Sequence, residues 1–197
     1  MRRISLLILL SISTMLSAAT VTSAQIEADY NSVRLMLTAP DNQDFSMFEQ
    51  ESLASILIEI IENDPEDARY HDRVVSSALV VLGGLHVPEA VDVLIGQLDN
   101  YTTTCVYWLG TYATADAVAA ITGYLDSDDP SVRYEAAAAL AGLPEIDLED
   151  ADLVEQLTDT AEVLRARVDI EEDSSVVEAV TEALDRIERD LESAVDR

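Results

Sequence analysis

The sequence predicts an all-α fold, a short solenoid of stacked helical hairpins. Three observations predict it. Apolar residues recur at helical spacing along nearly the whole chain, and no stretch alternates as a half-buried strand does. Two segments repeat each other at an offset of 27 residues. Acid–proline and serine–glutamate pairs stand where helices should begin, and glycines where they should stop.

The elements follow in chain order. Arg2 and Arg3 precede an apolar run over residues 4–16, and small residues follow as far as Ala24. That pattern predicts a cleavable signal peptide over residues 1–24, with an apolar core too short for a stable span. The expected location is therefore periplasmic or extracellular, with no membrane span after cleavage. Residues 25–45 read as an N-terminal cap or linker. There Val33, Met36 and Leu37 begin a short helix, which Pro40 and the polar run at 41–44 end.

Residues 46–197 read as the repeat domain, closed by a C-terminal capping helix. Ser46 with Glu49 fits a capping box ahead of the stripe Leu53, Ile56, Leu57, Ile60 and Ile61. Asp64–Pro65 fits an N-cap followed by a first-turn proline. The stripe Val75, Ala78, Leu79 and Leu82 comes next, and Gly83–Gly84 reads as its stop. Asp129–Pro130 repeats the acid–proline start, and Gly142 ends that helix. Leu153, Leu157, Ala161, Leu164 and Val168 form a further stripe. Ser175 with Glu178 then opens the last one, Val176, Val180, Leu184, Ile187 and Leu191.

The repeat is visible by overlay. PEAVDVLIGQLDN from Pro88 matches ADAVAAITGYLDS from Ala115, with Ala90, Val91, Gly96, Leu98 and Asp99 falling on Ala117, Val118, Gly123, Leu125 and Asp126. VSSALVVLGGL from Val75 overlays RYEAAAALAGL from Arg133, and DSSVVEAVTEAL from Asp173 overlays DPSVRYEAAAAL from Asp129. Runs of alanine keep helix propensity high and let neighbouring backbones approach closely. Self-similar helical pairs at this period mark stacked units that bury one another's apolar faces.

Residues 121–143 carry an acidic loop with Asp126, then Pro130, the pair Val132–Arg133, and a small-residue helix ending in Leu140–Ala141–Gly142. This segment resembles a HEAT repeat of the short phycobilisome-lyase type. The likeness is weaker over residues 88–112, which lack the Pro-x-Val-Arg pattern, and looser over 152–191. The resemblance implies an α-α superhelix that serves chiefly as a protein-binding scaffold, and no bilin chemistry. It also implies a structural role for Asp126, Pro130, Val132, Arg133 and Gly142, with Arg133 reaching an acid such as Asp126 or Asp129.

Composition limits the partners. The chain carries 39 acidic and 11 basic residues, for a formal charge of −28. Every basic residue is arginine. Such a chain repels nucleic acid and anionic membranes. Surfaces this acidic and free of lysine resemble those of halophilic organisms. The single cysteine, Cys105, cannot form an intramolecular disulfide, so packing has to hold the fold.

The sites are few. Tyr101, Cys105, Trp108 and Tyr112 share helical spacing, and Tyr107 lies on another face. Tyr107, Trp108 and Tyr112 are the candidate partner-binding residues, although a stripe at that spacing also serves as core. No HExxH, GxSxG or phosphate-loop motif is present, His71 and His86 are the only histidines, and Cys105 sits among apolar residues. No catalytic residue, cofactor or metal ligand is expected. The functional expectation is a non-catalytic scaffold or adaptor for an unidentified protein. Two alternatives stay open: a substrate held in the solenoid's groove, or calcium held by the acidic loops at 126–129, 147–152 and 171–173.

Self-repulsion at this charge destabilises the compact state until salt screens it. The melting temperature should rise markedly between low and molar sodium chloride. A flat response in thermal denaturation would remove salt adaptation as the origin of the charge.

Overall fold

The computed structural model describes residues 23–39, 44–65 and 70–195. The proposed signal peptide lies outside these residues except for its last two, as does the predicted break at Pro40. The described chain is all-helical, as its periodicity predicts. Its helices are α1 (Ser23–Thr38), α2 (Gln50–Asn63), α3 (His71–Leu85), α4 (Ala90–Gly96), α5 (Thr102–Leu109), α6 (Ala115–Gly123), α7 (Pro130–Ala141), α8 (Ala151–Ile170) and α9 (Ser174–Val195). A 3-10 turn, Tyr124–Asp126, extends α6.

The helices pack in two rows. In one row α2 lies on α4, α4 on α6 and α6 on α8. In the other, α1 lies on α3, α3 on α5, α5 on α7 and α7 on α9. Consecutive helices also pack across the rows, with the exception of α7 and α8. The core fills the space between the rows. Leu57 and Ile60, Ala90 and Leu94, Ala117 and Ile121, and Leu157 and Leu164 face it from the even-numbered helices. The odd-numbered helices answer with Ala78, Leu79 and Leu82, with Cys105, Val106 and Leu109, and with Ala136, Ala137 and Leu140. These three triplets have the same internal spacing. The step from α3 to α5 is 27 residues, and from α5 to α7 it is 31.

The chain starts its helices with aspartate more often than with serine. Asp129 caps α7 by accepting from the Ser131 amide, and Pro130 stands just after it as predicted. Asp150 caps α8 through the amides of Asp152 and Leu153. Asp173 accepts from the amides of Ser175 and Val176 at the start of α9, so the predicted Ser175–Glu178 box does not form. The Ser46–Glu49 box is also absent: α2 begins at Gln50 with Glu49 as its N-cap and no side-chain cap. Asp64 belongs to the end of α2, where its amide bonds the Ile60 carbonyl, and not to the start of the next helix. Ionised acceptors at a helix N-terminus satisfy free amides and complement the dipole together.

Gly83 and Gly84 do not stop α3. The helix runs past them to Leu85 and ends at His86, which takes the left-handed conformation at φ 52°. Close approach explains Gly83. A Cβ there would lie 2.3 Å from Cγ of Trp108 on α5. Gly110, 27 residues later, repeats the contact: its Cβ would meet that of Ala139 on α7 at 2.8 Å. Each of these odd-numbered helices thus carries, in or just past its last turn, a glycine that receives a side chain from the next odd-numbered helix.

Gly83→Ala should therefore destabilise the fold by about 1–3 kcal/mol through overpacking against the indole. Gly96→Ala makes the opposite test. Nothing lies within 4 Å of an added Cβ there and its φ is not positive, so that change should stabilise by about 0.4–1 kcal/mol. Chemical denaturation of both variants checks the pair.

Candidate functional site

The predicted aromatic stripe from Tyr101 to Tyr112 is divided by the chain. Only residues 102–109 are helical, so Tyr101 stands at the N-cap of α5 and Tyr112 in the following loop. Tyr112 is buried, its hydroxyl donates to the Gly83 carbonyl at 3.3 Å, and burial pushes its pKa up. It braces the end of α3 and presents no surface. Trp108 is half-buried over Gly83 and Gly84. The His86 ring meets its indole edge-on at 6.5 Å and stacks on Tyr112 at 5.6 Å. Tyr107 packs edge-on against Trp108 at 5.1 Å and is 60% exposed.

Tyr107 belongs to a wider surface. The burial pattern fixes which positions on the odd-numbered helices face outward. The steps of 27 and 31 align Ser76, Thr103 and Tyr134 in one line across α3, α5 and α7, and Val80, Tyr107 and Ala138 in a second. Val80 is 46% and Tyr134 43% exposed. Leu35, between buried Val33 and Leu37 on the outer side of α1, is 71% exposed. The overlay of Asp129 on Asp173 carries both lines onto α9, at Glu178 and Glu182.

On α3, α5 and α7 this face carries little charge in a chain of net charge −28. Beyond Asp72 and Arg73, α3 has no charged residue, and α5 has none at all. On α7, Arg133 turns away and half-buried Glu135 stands alone. The strip on these helices is rich in tyrosine, threonine, serine and small apolar residues. Tyr134, Val80 and Leu35 were not among the predicted site residues. Extending the repeat overlay from buried to exposed positions is the signal that finds them.

The repeat-motif residues have structural surroundings. Arg133 reaches neither Asp126 nor Asp129. Its guanidinium forks onto Glu171, in the α8–α9 loop, at 2.7 and 2.8 Å, and donates to the carbonyls of Ser127 and Asp128. Arg167 joins the same carboxylate and extends to Asp126 at 3.3 Å. Val132 is half-buried at the start of α7 and Gly142 is its C-cap. The Arg133 guanidinium holds Glu171 well below the usual carboxylate range, against the opposing effect of burial.

The acidic loops are occupied by the fold. Asp129, Asp150 and Asp173 cap helices, Asp147 accepts from the Glu149 amide, and Glu171 is ion-paired. Among the described residues, no three His, Cys, Asp or Glu side chains gather in a way that could hold a metal ion. His71 and His86 stand at opposite ends of α3, about 22 Å apart at 1.5 Å per residue. His71 Nδ1 lies 3.0 Å from Asp64 Oδ2, and Arg34 of α1 donates to Oδ1 of the same buried carboxylate. Burial would raise the Asp64 pKa, but the bonds from Arg34 and His71 outweigh it and the net shift is downward. Burial pushes the Cys105 thiol up to about 12, which leaves it a packing group and a poor nucleophile.

The Glu171 carboxyl is more acidic folded than unfolded. Its contribution to stability is thus complete above its ordinary value of 4.5 and is lost as pH falls below that. Glu171→Gln should lower the melting temperature by several degrees at pH 7 and flatten its decline below pH 4.5. Circular dichroism melts between pH 7 and 3 read both effects, and parallel curves for the two proteins would remove this cluster as a source of acid sensitivity. No protein-family model matches the chain, and no curated protein matches it.

Proposed function

We propose that this chain is an exported, non-catalytic protein-binding scaffold, a short α-solenoid of HEAT-like hairpins that docks its partner on the sparsely charged strip. Support for the solenoid comes from the sequential packing within each row and from the glycine contacts repeated at Gly83 and Gly110. The HEAT-like motif at residues 121–143 and the Arg2–Ala24 leader pattern support the family and the export. One observation carries the function: carboxylates cover this protein, yet three adjacent helices present Val80, Tyr107 and Tyr134 to solvent with almost no charge between them. Exposed aromatics on a rigid helical face anchor partners at low entropic cost.

The test is affinity capture from the native envelope with the mature chain as bait, comparing wild type with Tyr107→Ala/Tyr134→Ala. Loss of each anchoring tyrosine should cost about 1–2 kcal/mol, so the double variant should bind its partner at least tenfold more weakly with an unchanged melting curve. Trp108→Ala is a poorer probe, because the indole also fills the space over Gly83. Undiminished capture by the double variant would place docking elsewhere.

A further inference from the structure

We propose that the strip takes a single partner segment whose ends differ in chemistry, one uncharged and apolar or aromatic, the other bearing arginine or lysine. This rests on the docking role of the strip and goes beyond it by naming what docks. The first line of argument is the asymmetry of the face. From α3 through α5 to α7 the outward positions are Ser76, Thr103 and Tyr134, and Val80, Tyr107 and Ala138. On α9 the same two lines end on carboxylates, Glu178 and Glu182.

A groove of about 440 Å³ makes that junction physical. Tyr134, Ala138 and Ala141 line it on α7, with Glu178, Ala179 and Glu182 facing them on α9. Among the described residues, no hydrogen bond or ion pair engages Glu178 or Glu182. They differ in this from Asp129, Asp150, Asp173 and Glu171, which the fold uses for caps and ion pairs. A second groove, of about 590 Å³, shares Ala141, Glu178 and Glu182 with the first and runs on to Asp185, to Arg186, itself held by Asp190, and to Arg189, so the acidic stretch is bounded.

Length and charge then narrow the occupant. Packed helices lie about 8–10 Å apart, so the strip from α3 to α9 crosses about 30 Å. Extended chain covers that in about nine residues at 3.3 Å each. An acidic segment would meet Glu178 and Glu182 with like charge, and a second copy of this chain would bring its own −28 against the first. A cationic end instead pairs two carboxylates beside a tyrosine ring, where arginine also stacks.

The only tryptophan of the chain, Trp108, lies against Tyr107, so its emission reports the strip directly. The probe is a ten-residue synthetic peptide with leucine and tyrosine in its first half and four arginines in its second. Two controls replace the arginines by glutamine or by glutamate. Titrations run at the lowest salt at which circular dichroism shows a folded protein. The expected result is a saturable change in Trp108 emission with the arginine peptide, at least tenfold weaker binding of the glutamine peptide, and none of the glutamate peptide. Glu178→Gln/Glu182→Gln should reduce the arginine peptide to the level of the glutamine peptide, while Tyr107→Ala should weaken both peptides alike. Equal binding of the arginine and glutamine peptides would overturn the cationic end and leave the docking strip standing. Arginine-peptide binding that Tyr107→Ala does not affect would reduce the interaction to diffuse attraction and overturn both, as would silence with all three peptides.

Discussion

The fold depends on a repeated steric allowance: near its C-terminal end a helix lacks a side chain, and the next helix of the same row fills the gap. Trp108 sits where Gly83 has no Cβ, and Ala139 sits where Gly110 has none. The partners differ in bulk, so what repeats is the position. This sets how near α3, α5 and α7 come to each other, and it keeps their buried triplets in one layer. The alanines of α7 extend the same solution toward α9, the partner it packs against most extensively. Bulky side chains at these points would open the row, and the core would lose the contact density on which close-packed interiors depend.

Electrostatics plays a second, local part. The acidic side chains fall into three groups by what they do. Some close helix starts, as Asp129, Asp150 and Asp173 do. Others tie distant segments: Glu171 joins the α8–α9 loop to α7 through Arg133, and Asp64 joins α1 to α3 through Arg34 and His71. Most of the other described carboxylates face solvent, where each contributes little by itself to stability and much to the net field. Three of the scarce arginines, Arg34, Arg133 and Arg167, serve the second group. A fork geometry that satisfies a buried carboxylate on both oxygens suits that task better than a lysine point charge.

Much of this was legible in the sequence. The stripes from Leu53 to Ile61, from Val75 to Leu82 and from Leu153 to Leu164 are helical and mostly buried, because spacing of three and four residues places apolar groups on one side. What failed has physical reasons. Glycine after an apolar run reads as a stop, but at Gly83 space and not backbone freedom decided the residue, and the left-handed position fell to His86. The stripe ending at Tyr112 was carried too far, because spacing does not report where a helix frays into a turn. The Ser175–Glu178 box lost to Asp173, whose ionised oxygen is a stronger acceptor for free amides, while α2 starts at Gln50 with no side-chain cap. The partner of Arg133 lies 38 residues away, beyond a whole helix, where local sequence carries no signal. The candidate strip was half legible: Tyr107 stood apart from its stripe, whereas Val80 and Tyr134 emerge only when the rows are superposed on their buried positions.

Cys105 gives the molecule an internal clock. It is the sole thiol, it is completely enclosed at the middle of α5, and it reacts only when that helix parts from its neighbours. The rate of its modification by a thiol reagent therefore counts openings of the central hairpin, separately from fraying at either terminus.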